Sequence, residues 1–268
     1  MKLVVIGAGI AGSSAARIAR HMGWSVEIID PNPETAASRC ALATIRPTWF
    51  DKAGQAAANR SWEWYKMWGA AITQQATVTN WRNLEPKIQK DWWLVEPINV
   101  LVKPTINTQV TEIRGTSAKL ADGTTITGDA LINCTGAGSP LSVSHTPIAG
   151  ATLVGEGQID AKLRVHHIRP YHVLTVGQVG NTIRLGSSIN KSLDAAVTEI
   201  WKMKDLAEQI GIVTPGINWN LVTGFRARRP GNNPALPQPG QTSTELGALA
   251  RSGYALAPDA IHNWLTTL

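Results

Sequence analysis

Lys2-Leu3-Val4-Val5-Ile6-Gly7-Ala8-Gly9-Ile10-Ala11-Gly12, followed by a helical run and then by Val26-Glu27-Ile28-Ile29-Asp30, sets the pattern of the chain. Leu3 to Ile6 is a short apolar run with glycines directly behind it, which reads as a buried parallel strand turning into a helix. Gly7 permits the turn, Gly9 lets a pyrophosphate approach the backbone, and Gly12 lets the helix lie close on the strand. The unpaired N–H groups at the helix start then face an anion. The helix runs through Arg20, Gly23 breaks it, and a second strand ends at Asp30, whose carboxylate can accept hydrogen bonds from a ribose diol. A glycine-rich turn that merely packs is the competing reading, and the acid closing the second strand weighs against it. Asp30 disfavours the 2′-phosphate of NADP and leaves NAD and FAD level.

The chain of 268 residues has 43% hydrophobic content, enough for one large domain or two intertwined ones with a substantial core. No apolar run approaches the length of a bilayer span. Lys2 followed by apolar residues resembles the start of a secretion signal, but the glycines interrupt it and a first strand explains it better; a cytoplasmic protein is expected. Two cysteines, Cys40 and Cys134, make no disulfide framework, and no Cys/His spacing suggests zinc. His166 and His167 are neighbours and would face opposite sides of a strand. The net charge of +6 without a long basic run suggests a folded surface able to meet a polyanion. Seven of the eleven tryptophans lie between Trp49 and Trp93. They suit either a packed lobe or stacking platforms for bases, and packing is favoured because tryptophans at helical spacing usually face a core.

Pro31 opens a loop that continues through Ala37-Ser38-Arg39-Cys40-Ala41, where small residues let the backbone come close to a flat ligand. Gly54 to Gln74 reads as an amphipathic helix with Trp64, Trp68 and Ile72 four apart. Trp81 to Val95 is irregular, and Pro86 argues against a continuous helix there. Ile106 to Ile113, which includes Val110, alternates as a strand, a hairpin turns at Asp122-Gly123, and the apolar run at Ala130 leads into Cys134-Thr135-Gly136-Ala137-Gly138-Ser139. Leu163 to Ile189 is mostly short strands, with an antiparallel pair across Gly180-Asn181. Asp194 to Ile210 is a helix ended by Gly211, and a last helix starts at Asp259.

Four blocks resemble the FAD-dependent D-amino-acid oxidase superfamily, which contains glycine oxidase and sarcosine oxidase. They are Gly7, Gly9 and Gly12 with Asp30; Ala37-Ser38-Arg39-Cys40; Leu131-Ile132-Asn133-Cys134-Thr135-Gly136-Ala137-Gly138-Ser139; and Arg251-Ser252-Gly253-Tyr254-Ala255-Leu256-Ala257-Pro258. The resemblance implies an α/β fold: a Rossmann-like FAD-binding domain of the glutathione-reductase type with an interleaved, shortened antiparallel-sheet substrate domain. Residues 1–48, 105–150 and 224–268 would form the first and residues 49–104 and 151–223 the second. FAD would be non-covalent, held by Gly7, Gly9, Ile10, Ala11, Gly12, Asp30, Pro31, Ser38, Arg39, Cys40, Ala41, Val110, Thr135, Gly136, Arg226, Gly253, Tyr254, Ala255 and Leu256.

In glycine-oxidase-like members the arginine before the tail glycine pairs with the substrate carboxylate, which by position is Arg251. Its planar, permanently charged fork suits that task. Tyr254, His172 and Tyr171 are expected to line the same pocket, and no metal is expected. The basic charge and the short substrate lobe imply a glycine-type amine carried on a polymer. Relatives of this kind act on wobble uridine in tRNA and, in phages, on thymine in DNA; the compact chain favours glycyl-thymidine in DNA, in the host cytoplasm if phage-encoded. A small-molecule glycine or sarcosine oxidase and a non-catalytic flavin-containing, nucleic-acid-binding module are the alternatives.

Overall fold

The computed structural model describes residues 1–31, 36–137, 141, 146–169, 172–186, 188–228, 234–249 and 252–268. Strand β1 (Lys2–Ile6) lies between β2 (Ser25–Ile29) and β11 (Ala130–Asn133), all parallel, and β17 (Ser243–Glu245) pairs with β11 to complete the order β17-β11-β1-β2. Helix α1 (Ile10–His21) is the crossover from β1 to β2. Alternate residues of β1 feed two cores, as the pleat requires. Leu3 and Val5 join α1 and helix α6 (Gly253–Leu265), whereas Val4 and Ile6 meet Val110 and Leu120. Those two belong to a small sheet of β8 (Val110–Arg114), β9 (Ser117–Leu120) and β10 (Thr125–Thr127), with Gly123 at φ +89° in the β9–β10 turn.

A second, seven-stranded sheet runs β16 (Trp219–Arg228), β12 (Thr146–Glu156), β15 (Thr182–Gly186), β14 (His172–Val179), β13 (Leu163–Arg169), β5 (Ala76–Asn80) and β6 (Asn83–Gln89). Its pairs are antiparallel except β13 with β5, which are parallel. Helix α5 (Leu193–Gln209) covers one face, burying Ile200 and Met203 against Leu153, Ile183 and Leu185. Ser192 accepts from the Ala195 N–H to start α5, and Gly211 at φ +72° ends it. The remaining elements are α2 (Ala37–Cys40), β3 (Thr44–Ile45), a single 3₁₀ turn at Pro47–Trp49, α3 (Lys52–Met67), β4 (Ala71–Thr73), β7 (Trp93–Val95) and α4 (Pro97–Val100). The order β3-β7-β4 makes a third small sheet.

Several elements depart from the sequence expectations. Helix α3 starts earlier than Gly54, at an N-cap where the Asp51 carboxylate accepts from the Gly54 N–H, and stops at Met67 because Gly69 takes φ +66°. Ile72 therefore sits on β4 rather than on the helix. The fully buried face of α3 is Ala58, Ser61, Trp62 and Tyr65, with Trp64 and Trp68 only partly covered. Residues 81–95 hold two strands, and Pro86 fits there because β6 is the edge of its sheet, where a missing N–H breaks no ladder. Helix α3 and Trp93, Val95 and Val100, which the sequence reading placed in the second lobe, pack in the same core as β1.

The last helix begins at Gly253, six residues before Asp259, and takes Pro258 into its interior. Proline offers no N–H to the carbonyl four residues back, so the Tyr254 carbonyl is left to find another donor. The buried Tyr65 hydroxyl supplies it at 2.6 Å. Asp259 is a buried acid rather than a cap: the Arg60 guanidinium donates to both its oxygens, at 2.6 and 3.0 Å, tying α6 to α3.

Candidate active site

The glycine turn is shaped by sterics that leave no choice of residue. A Cβ on Gly7, which adopts φ +99°, would lie 2.5 Å from the Cys134 carbonyl oxygen at the end of β11. A Cβ on Gly12 would lie 1.8 Å from the Gly7 carbonyl oxygen, so the expected close approach of helix to strand is real. At Gly9 the nearest atom to a Cβ would be Ser38 Oγ, at 3.0 Å. The Ile10 N–H at the start of α1 donates to that same hydroxyl at 2.8 Å, and the first turn of α1 contains no acidic side chain. The helix thus presents its positive end where an anion would sit. One oxygen of Asp30 accepts from the Ala8 N–H at 2.5 Å, which pins the turn to the end of β2.

A cleft of about 870 Å³ opens in front of this turn and reaches to the seven-stranded sheet. Among the expected residues, Gly9, Ile10, Ala11, Asp30, Ser38, Ala41, Thr135, Gly136, Arg226, Gly253 and Tyr254 line it. Gly7 and Gly12 shape it from behind. Gly150, paired near Arg226 on β12, leaves room for the guanidinium: a Cβ there would stand 3.3 Å from Nη2. The Tyr254 hydroxyl donates to the Ser38 carbonyl at 3.0 Å, and burial pushes its phenol well above the ordinary range. Tyr254 therefore lends the cleft its ring while its hydroxyl stitches α6 to α2.

Other expected contacts lie off the cleft wall. Pro31 and Arg39 are exposed, Val110 and Ala255 are buried in the cores, and Leu256 packs against the core of β1. Cys40 turns away: its Sγ meets the carbonyls of Gly150 at 3.5 Å and Val222 at 3.4 Å, and burial raises its thiol. Arg251 and Tyr171 lie outside the described residues, as does the side chain of His172, whose backbone opens β14.

The sequence reading missed much of the far wall. Val173 and Thr175 on β14, His167 on β13, Phe225 on β16, and Glu199 and Met203 on α5 all line the cleft, as do Trp49 and Trp92. Only the alternation of Val173 and Thr175 along one strand could have signalled a shared face. The Trp49 and Trp92 rings meet edge to face, 5.1 Å apart at 78°. Arg46 donates through Nε to Asp91 at 3.0 Å, and Thr48 donates to the same oxygen at 2.8 Å. Partial burial acts to raise the Asp91 carboxyl, but these two bonds outweigh it and hold it below its ordinary value. Burial, then the charges of Arg46 and His166, hold the His167 imidazole below its ordinary value, which keeps it neutral near pH 7.

These residues fit a flavin dinucleotide. The amide end of α1 suits the pyrophosphate, Asp30 suits the adenosine ribose, and a cleft of this volume is large enough for an extended cofactor and a small substrate. Among the described residues no cluster of His, Cys, Asp and Glu could hold a metal ion, and no helix is long and apolar enough to cross a membrane. Residues 1–181 match the model of the family described as pyridine nucleotide-disulphide oxidoreductase.

Similar solved structures include iminodiacetate oxidase from Chelativorans sp. BNC1, at TM-score 0.75 and 17% identity over 99% of this chain and 94% of that one. Glycine oxidase from Bacillus cereus ATCC 14579 superposes at TM-score 0.76 and 12% identity, over 99% of this chain and 96% of that one. An FAD-dependent oxidoreductase from Pseudomonas aeruginosa gives TM-score 0.67 and 13% identity, over 97% and 88% of the respective chains. No curated protein sequence matches. The glycine turn, the cleft in front of it and the family match together make this chain a member of the pyridine nucleotide-disulphide oxidoreductase family, an FAD-dependent oxidoreductase of mixed α/β fold.

Proposed function

We propose that the protein is an amine oxidase that acts on the Cα–N bond of a glycine-type group, and that this group is carried on a nucleic-acid base, glycyl-thymidine in DNA in preference to tRNA. The observation that carries the reading is the position of the cleft. It runs from the amide end of α1, past Thr135 and Gly136, to residues of the seven-stranded sheet, so one cleft has room for both the dinucleotide and a substrate beside it. The chemistry that FAD would supply when held there is acceptance of a hydride equivalent from the substrate carbon.

The protein's own work is to bind and orient. Arg251 stands two residues after Leu249 and two before Gly253, both of which line the cleft, and we assign it to the substrate carboxylate. Thr175, Phe225 and Met203 line the part of the cleft contributed by the seven-stranded sheet and α5. The reaction takes a hydride equivalent, two electrons and one proton, from the glycyl Cα and leaves an iminium, R–NH⁺=CH–COO⁻. Water adds to it, releasing glyoxylate and leaving a primary amine on the base. The seven-stranded sheet is taken as the substrate side in the same proposal, while α3 and residues 93–100 stay with the core of β1. The net charge of +6 supports a polyanionic carrier.

A free secondary amine is the second reading, favoured by the fold shared with an iminodiacetate oxidase. Glyoxylate release from glycylated oligonucleotide, glycine and sarcosine separates the two. The polymer reading expects the oligonucleotide to be preferred and its turnover to fall steeply as salt rises. Equal or better turnover of free amines, insensitive to salt, would overturn it.

A further inference from the structure

The mouth of the cleft carries a group of side chains that holding a dinucleotide does not require. Trp49 lines the cleft yet is 52% exposed, whereas Trp92 behind it is 1% exposed. The Arg46 guanidinium carbon lies 4.9 Å from the centre of the Trp92 ring and 5.9 Å from that of Trp49. His167 completes the wall, 6.5 Å from Trp92.

Two physical points say what this wall accepts. The edge-to-face contact with Trp92 and the cation–π contact with Arg46 hold Trp49, a residue of the cleft lining, while about half of its surface stays exposed. A large apolar ring held rigid and left open in a pocket favours a flat apolar partner. Arg46 is ion-paired through Nε with Asp91, and His167 is neutral, so this wall favours an uncharged ring over a second anion. It suits a neutral planar ring.

Resting on the oxidase reading above, we propose that Trp49 is the platform on which the aromatic ring carrying the glycyl amine stacks, with Trp92 and Arg46 bracing it from behind. Trp49 is then a specificity-determining residue: it selects amines whose nitrogen bears a ring, as a modified nucleobase does, over glycine and sarcosine.

The test uses flavin-loaded wild type, Trp49→Ala and Trp49→Phe, with N-benzylglycine and sarcosine as probes, and Trp49→Leu if the alanine variant loses flavin. The ratio of kcat/KM for N-benzylglycine over sarcosine should fall about tenfold in Trp49→Ala, the scale of lost aromatic stacking, and stay within about twofold in Trp49→Phe. An unchanged ratio in Trp49→Ala overturns the proposal while leaving the oxidase reading intact. If wild type oxidises neither amine, the oxidase reading fails and binding decides the platform separately. N-benzylglycine should then perturb the flavin absorbance of wild type at about tenfold lower concentration than that of Trp49→Ala. Equal affinities, or no perturbation of wild type, overturn it.

Discussion

The two sides of the cleft are specified by different physics. On the dinucleotide side the backbone itself makes the site: Gly7 and Gly12 are dictated by carbonyl oxygens 2.5 and 1.8 Å from where a Cβ would stand. On the sheet side the site is a surface of side chains, Trp49, Trp92, His167, Thr175 and Phe225, brought together from separate strands and turns. A backbone site tolerates no substitution and leaves a local signature. A side-chain site tolerates many and leaves none.

The sharpest way to break this contrast is Gly12→Ala. Its methyl group must push α1 off the Gly7 carbonyl, and a loss of at least about 3 kcal/mol in stability, with most of the flavin gone, is expected. Flavin content after purification and a denaturant midpoint check it. Tyr65→Phe comes next, because it strips the donor from the Tyr254 carbonyl that Pro258 leaves unpartnered in the helix. A cost of about 2 kcal/mol is expected, and Pro258→Ala in the same chain should recover part of it by restoring the helical N–H.

Gly115→Ala sharpens the comparison from the other direction. Gly115 also takes a positive φ, +56°, but a Cβ there meets nothing within 4 Å, so only backbone strain of about 1 kcal/mol is expected, with flavin binding unchanged.

The smallest effect concerns acid. His167 has a folded-state pKa below its unfolded value, so the unfolded chain binds the proton more readily. Its contribution is intact above about pH 6.5 and is lost as pH falls below that value. Denaturant midpoints at pH 7.5 and 5.5 should differ by less in His167→Asn than in wild type, a small effect because the imidazole is only partly buried.

The same division explains what the sequence revealed. Strands β1, β2 and β11, the Asp122-Gly123 hairpin and the end of α5 at Gly211 were legible because each is fixed by residues adjacent in the chain. Strand β12, eleven residues long, was not, because Pro147, Gly150 and Gly155 disguise its alternation. Two of those residues are glycine for reasons visible only in three dimensions: a Cβ on Gly150 would stand 3.1 Å from the Ser188 carbonyl oxygen, and Ile217 would stand 2.6 Å from a Cβ on Gly155. The start of α6 was hidden by Pro258, whose cost is offset by a tyrosine 193 positions earlier in the chain. In the candidate site, the contiguous dinucleotide motif named its half of the lining. Trp49, Trp92, His167 and Glu199 come from four elements or turns far apart in sequence, so no spacing rule could have joined them.

The most direct test of the central claim is a single turnover without oxygen. The flavin-loaded protein is mixed with sarcosine or with a glycylated thymidine oligonucleotide, and flavin absorbance and glyoxylate are followed together. The account predicts bleaching of the flavin with one glyoxylate formed per flavin reduced, faster with the oligonucleotide. A flavin that stays oxidised with both amines would contradict it.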